Sequence, residues 1–423
     1  MIAFLRHPLL KQFSAFSSIL AAGKLVQLAA MPVLTRLFSP DDFGEYTTFV
    51  AVLSLCAIVG NLKFEQAIPL PRSHRASEAL LRLSIEISTG FLVLLALTLS
   101  VTPNVFGNSP LGSGLLWLAC VFVLAFQNLR FVLMRHGAYV PIGVAQGAQT
   151  SVQTGAQLAF GSLGTIVPGG LLVGDALGRM TGAVFLALRL RALGYGANLF
   201  HLSFVRAFFR HRRQAGWAWR RYLRASLTHT AALLVDALPT LILPFYVIAL
   251  YGKGTNGLFA FAYAMVFALS GPVFAPLGQM VYGTLAAKKA KEQRIGPILR
   301  KILGISATLL LLPLGVVMVW GPDLYALVFG EAWRVAGTFA VITSLAIYGQ
   351  LLTAPLMDVL RIVHKTHWQF MINALRLGLV LGVMGVGALE SWPFTRFLYG
   401  FTGAIVLAQT FAVLQILRVT RSV

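Results

Sequence analysis

Long apolar stretches follow one another along the whole chain, parted by short polar joints. Twelve of them, at roughly 12–36, 44–68, 82–102, 114–134, 138–163, 169–190, 224–250, 257–282, 299–320, 335–359, 368–389 and 395–418, reach about 20 residues or more. A helix of that length crosses the ~30 Å hydrocarbon layer of a bilayer and satisfies its own backbone polar groups on the way. The pattern predicts an all-α polytopic membrane protein with about 12 transmembrane helices. No joint is long enough for a sizeable soluble domain.

Composition sharpens the class. Of 423 residues, 57% are hydrophobic and 11% charged, with mean hydropathy +0.79, whereas soluble domains carry about a quarter charged residues. The net charge of +21 comes from 34 Lys and Arg against 13 Asp and Glu. With the N-terminus in the cytoplasm, only Arg36, Lys253, Arg334 and Arg396 reach the far side, while Lys24, Arg179 and Arg376 lie within apolar stretches. The remaining basic residues all face the cytoplasm, the asymmetry that orients inner-membrane proteins, and both termini then lie there. The basic charge is thus a topology signal, and no nucleic acid is needed to explain it. Lys24 interrupts the first apolar run, which argues against a cleaved signal peptide. Cys56 and Cys120 fall inside apolar stretches as small buried hydrophobes; the sequence offers no metal site and no cofactor motif.

Two pseudo-symmetric six-helix bundles are expected, at 1–191 and 223–423, joined by a basic cytoplasmic linker at 192–222. The segment from Arg189 to Arg224 holds nine Arg, no Lys and no acid, and Phe200, Leu202, Phe204, Val205 and Phe208 alternate with its arginines. That is the pattern of an amphipathic helix lying in the interface, either a topology anchor or a landing surface for anionic membrane lipids. Aligning Gly44 with Gly257 brings Lys24 next to Asp236, so the first helix of each half carries an ionisable residue at one depth. Duplicated halves with a midplane site are a transporter arrangement.

Charge inside the bilayer costs about 2.5–3.5 kcal/mol per residue on the insertion scale, so it faces a wet cavity or a partner. Arg376 has no acid in its own helix and is the leading anion-binding group; a guanidinium matches phosphate in two places and keeps its proton. Arg179 and Lys24 complete a basic midplane set suited to an anionic cargo. Arg179 lies four residues from Asp175, so the two can equally neutralise each other. Asp175, Asp236 and His229 are the candidates for ion coupling or charge pairing. Asp358 and Arg361 suggest a cytoplasmic gate. Gln146, Thr150, Gln153 and Gln157 recur on one helical face. Such a ladder serves either interhelical hydrogen bonding or a wall for sugar hydroxyls. In the next helix Gly170, Gly174, Gly178 and Gly182 form a smooth packing ridge.

The corner from Pro32 to Tyr46 (PVLTRLFSPDDFGEY) ends one helix and starts another. Ser39 is placed as an N-cap, Pro40 as the first helical residue, and Asp41 and Asp42 to complement the helix dipole. This run closely resembles the start of Wzx-type oligosaccharide flippases, the bacterial polysaccharide-biosynthesis membrane proteins. Leu62 to Pro71 (LKFEQAIPLP) looks like the same family's second-helix exit. The resemblance covers residues 20–85 and implies the multidrug/oligosaccharidyl-lipid/polysaccharide exporter superfamily. It implies movement of an undecaprenyl-diphosphate-linked oligosaccharide, such as an O-antigen, capsule or exopolysaccharide repeat unit, to the periplasmic leaflet. Coupling to H+ or Na+ and contact with the polysaccharide polymerase machinery belong to the same implication.

An enzyme is not expected. There is no GxxxxGK[ST] loop, no HExxH, no CxxC and no long external loop to carry catalytic groups. The alternatives are a cation-coupled multidrug exporter, which calls for an acidic cavity, and a membrane-embedded glycan polymerase or ligase.

Overall fold

The computed structural model describes residues 8–101, 110–164, 169–194, 212–268, 296–362 and 365–421. These residues are helical throughout, with no strand among them. The helices are α1 (Pro8–Leu37), α2 (Pro40–Val59), α3 (His74–Val101), α4 (Pro110–Arg135), α5 (Tyr139–Leu163) and α6 (Gly169–Ala192). They continue with α7 (Arg212–Leu241), α8 (Leu243–Tyr251), α9 (253–268), α10 (Gly296–Phe329), α11 (Arg334–Ile362), α12 (Thr366–Leu389) and α13 (Phe394–Arg421). Ten spans among the described residues are long and apolar enough to cross a membrane. The protein is a multi-pass helical membrane protein.

Side-chain chemistry sets the helix ends. At the start of α2 the Ser39 hydroxyl accepts from the Asp42 N–H (3.3 Å), and the Asp42 carboxylate accepts from the Ser39 N–H (2.8 Å). This is a reciprocal capping box closed by an Asp. Arg36 Nη1 donates to the Pro32 carbonyl (3.0 Å), covering the end of α1. The expected seventh span runs on through α7 and α8 with its hydrogen-bond ladder thinned at one point: Pro239 and Pro244 each lack an N–H, while Ile242 between them keeps helical backbone and donates to the Leu238 carbonyl (3.0 Å).

The chain divides into two compact units, residues 1–38 with 48–234, and residues 39–47 with 235–423. Of the expected linker, residues 195–211 lie outside those described, and residues 212–222 form the start of α7. In the first unit, α5 packs along both α1 and α6, and α6 also packs on α4. The core joins Phe64, Leu80, Leu133, Ile142 and Leu186. Phe64 stacks on Trp219 with ring centroids 5.6 Å apart. In the second unit, α11 packs on α10 and α13, and α12 on α13. An aromatic cluster centres on the fully buried Trp333, edge-on to Phe43 at 5.0 Å and tilted on Phe261 at 4.4 Å. Leu94, Leu97, Leu312 and Val319 lie exposed on outward faces, as lipid contact requires.

The repeat register drawn at Gly44 and Gly257 becomes a contact within the second unit. A Cβ on Gly257 would lie 1.8 Å from the Pro40 carbonyl oxygen, and one on Gly44 2.1 Å from that of Lys253. Only glycine lets the first turns of α2 and α9 approach so closely. Asn256 Nδ2 donates to the Gly44 carbonyl (3.0 Å), and Lys253 pairs with Glu45 (3.3 Å).

Candidate functional site

In the first unit the ionisable group at mid-helix is a closed pair. Asp175 is 1% exposed, and Arg179, one turn on, holds it through Nε (2.5 Å) and Nη2 (3.2 Å). Gln153 of α5 adds a third donor to the same carboxylate at 3.1 Å. The guanidinium is thus partly neutralised by its own helix. Lys24 projects from α1, and its Nζ donates to Gln27 of the same helix (3.1 Å). His229 is exposed on α7.

The glutamine ladder meets the glycine ridge. A Cβ at Gly174 would fall 2.5 Å from the Gln157 side chain, and one at Gly178 2.6 Å from that of Gln153. Gln157 also donates to the Leu171 carbonyl (3.1 Å). Gln153 and Gln157 are therefore buried between α5 and α6. Each amide spends one donor on α6, the interhelical hydrogen bonding that the sequence offered beside the glycan wall. Gln146 and Thr150 stay half-exposed, with the Thr150 hydroxyl bonded to the Gln146 carbonyl (3.0 Å).

In the second unit the polar centre lies where α7 runs into α8. Arg376 of α12 reaches α7, where Nη2 donates to the Asp236 carboxylate (2.9 Å) and to the Asp236 backbone carbonyl. Arg376 thus has a counter-ion from another helix, which its own helix did not disclose. Its Nε is buried with no hydrogen-bond partner. Beside it lies a cavity of about 130 Å³ lined by Thr47, Thr240, Asn256, Tyr263, Gln350 and Arg376 and by apolar groups including Leu243, Phe259, Phe401 and Ile405. The Tyr263 hydroxyl donates to Gln350 (2.8 Å). Asn256 is fully buried, with Nδ2 on the Gly44 carbonyl and Oδ1 unpartnered. At about 130 Å³ the cavity falls below the ~300–1,000 Å³ of ordinary small-molecule sites, while its lining has their mixture of apolar wall and a few polar side chains.

Sequence reasoning missed Asn256, Tyr263, Gln350 and Thr47. A lone Asn one residue before a packing glycine was the available signal, since an unpaired amide in an apolar stretch is costly. It also passed over a charged cluster in the first unit, placed by the left-handed backbone at Leu62 and Lys63. Lys63 and Glu65 are buried, 3.8 Å apart, and Lys63 donates to the Ala57 carbonyl (2.8 Å). Burial pushes the Glu65 carboxyl above its ordinary range and the Lys63 ammonium below its own, against their mutual attraction. The side chains of Asp358 and Arg361 lie outside the described residues.

No protein-family model and no curated protein matches the sequence. Solved structures do. The lipid II flippase MurJ, in its inward closed conformation, matches with TM-score 0.71 over 95% of this chain and 87% of that one, at 9% identity. The MATE transporter VcmN of Vibrio cholerae, in its bent form, matches at 0.56 with 15% identity, covering 98% and 97% of the two chains. A MOP-superfamily transporter from Pyrococcus furiosus, noted for the reverse polarity of its binding pocket, matches at 0.53 with 12% identity over 98% and 97%. The chain has their fold. At these identities it is the architecture that is shared.

Proposed function

We propose that the protein flips an undecaprenyl-diphosphate-linked oligosaccharide across the inner membrane by alternating access, with both termini cytoplasmic. The observation that carries this reading is Arg376: a permanently charged group within an apolar helix, with an unpartnered Nε, beside a cavity. Arg376 takes the diphosphate by exchanging Asp236 for phosphate oxygens, which bind guanidinium in the same forked manner. Arg179 and Lys24 add positive charge in the other unit, and Gln146 and Thr150 face the glycan. The fold likeness to a lipid-linked flippase supports a transporter without catalytic chemistry. Coupling to H+ or Na+ falls to Asp175, Asp236 and His229; Asp358 and Arg361 form the gate, and anionic lipids meet the 189–224 segment.

The test is reconstitution in liposomes with a fluorescent prenyl-diphosphate oligosaccharide loaded in one leaflet. Wild type equilibrates the probe between leaflets, and Arg376→Ala, inserted at equal level, does not. Equal rates for the two proteins remove Arg376 from the site. Failure of wild type, with efflux of an organic cation in its place, transfers the protein to drug export, the activity named for the MATE neighbours.

A further inference from the structure

The first turns of α7 carry two chemically different faces. Ala218 is fully buried in the core of the first unit, Tyr222 and Leu223 pack against that core, and Trp219 stacks on Phe64. This apolar face is spent on protein. Trp217, Arg220, Arg221 and Arg224, at i, i+3, i+4 and i+7, share the other face and are all exposed. No Asp or Glu lies between Asp175 and Asp236, so no carboxylate of this stretch neutralises the three guanidinium groups. Tyr222 meets the Trp217 ring edge-on at 6.2 Å and fixes one side of it, while 46% of Trp217 stays exposed.

Gly216, Trp217, Arg220 and Arg221 line a cavity of about 630 Å³, within the range of small-molecule sites. The apolar span that includes α7 runs Gly216–Tyr251, which puts the cavity at the level of lipid headgroups, where Trp and Arg concentrate. A topology anchor needs only the charge. It needs neither a cavity nor a half-open indole held by a second ring. Guanidinium forks match phosphate oxygens, and a flat indole offers its apolar face to the C–H face of a pyranose. Phosphatidylglycerol brings one charge and no ring, whereas a diphosphate joining a prenyl chain to a sugar brings two charges and a ring. Resting on the flippase reading and its topology, we infer that this cavity is a cytoplasmic-leaflet capture site for the glycosyl-diphosphate head of the cargo, built by residues other than Arg376. Arg220 and Arg221 take the diphosphate, Trp217 takes the first sugar, and Arg224 adds charge one turn further along. The surrounding basic segment still meets anionic phospholipids; the cavity is the part that selects.

The full-length protein in phosphatidylcholine nanodiscs tests this, with a radiolabelled short-chain prenyl diphosphate carrying N-acetylglucosamine as probe. Arg376→Ala is the background, so that the binding left there reports the second site. Loss of two charge-assisted contacts predicts that Arg220→Gln with Arg221→Gln weakens this binding by about tenfold or more. Arg220→Lys with Arg221→Lys keeps the charge that sets topology and loses the forked donors, and should weaken it by an intermediate amount. Trp217→Leu should weaken the glycosylated probe about fivefold and leave a sugar-free prenyl diphosphate unchanged. No binding left in the background, or full binding by the Gln pair, overturns the inference while wild-type binding through Arg376 keeps the flippase reading. Equal competition by phosphatidylglycerol in the nanodisc makes the face a lipid anchor only, and equal competition by a soluble nucleotide sugar moves the site off the membrane; each overturns the inference as well. Wild type that does not bind the probe removes the flippase reading itself.

Discussion

Gly257 and Gly44 form the tightest backbone approach among the described glycines, and alanine there has a calculable effect. Ordinary contact for a Cβ begins near 3.4 Å, whereas alanine at 257 would bring its methyl to 1.8 Å from the Pro40 oxygen. The atom met is backbone, so no rotamer relieves the clash, and α9 must back away from α2 by about 1.5 Å or tilt. Overpacking of this kind costs about 1–3 kcal/mol. The same retreat stretches the buried bond from Asn256 to Gly44, worth about 1 kcal/mol more. The approach can be read with cysteines at 45 and 253 joined by a short bifunctional thiol reagent, which spans the reach of the native Lys253 and Glu45 side chains that meet at 3.3 Å, in a background with Cys56 and Cys120 replaced by alanine. The parent pair should cross-link readily in membranes; Gly257→Ala should slow that reaction several-fold and lower the melting temperature. Gly304→Ala and Gly378→Ala, which meet nothing within 4 Å, serve as controls and should be neutral or gain about 1 kcal/mol from helix propensity. If Gly257→Ala cross-links and melts like its parent, the close approach is not a feature of the folded protein.

Three further outcomes follow from the charged groups and the two helix prolines. Asp175→Asn leaves the half-buried Arg179 without its carboxylate and should destabilise by about 1–3 kcal/mol; the double variant with Arg179→Gln should recover most of that in a detergent melt. The native state holds the Glu65 proton longer than the unfolded chain does, so that contribution is present below the ordinary carboxylate range. It drains away as pH rises through the raised native value. Lys63 has the opposite sense: its contribution is present above 10.5 and lost as pH falls through its lowered native value. Melting curves across pH should lose the first slope in Glu65→Gln and the second in Lys63→Met. Replacing Pro239 and Pro244 together by alanine supplies the two missing N–H groups and should stiffen the helix around Ile242, seen as slowly exchanging amides at 239 and 244 and loss of whatever binding the adjoining cavity supports.

The helices were legible because a bilayer leaves the backbone few alternatives: once a stretch is apolar for some 20 residues, helix follows. The corner at Ser39 and Asp42 was legible too, since capping is decided within four residues. Pairing between distant helices was not. The glutamine ladder and the glycine ridge were both visible as periodic faces, but periodicity states which side of a helix is polar and not which helix it meets. Arg376 looked solitary because Asp236 stands 140 residues earlier in the chain. The thinned ladder around Ile242 was written in its two prolines, yet hydropathy averaged it away. Lys63 and Glu65 look like an ordinary surface loop by composition; left-handed backbone at two non-glycine residues, invisible to pattern reading, folds them inward.

Residues 39–47 belong with a unit whose remaining residues begin at 235. A ribosome delivers about 5–20 residues per second, so the first turns of α2 wait on the order of 10–40 s before Gly257 emerges to receive them. During that interval Gly44 has no neighbour to justify its lost helix propensity, and the capping box of Ser39 and Asp42 alone must keep the helix start from fraying. The corner is thus a placeholder during biosynthesis, and a chain cut after the first unit leaves it permanently without its seat.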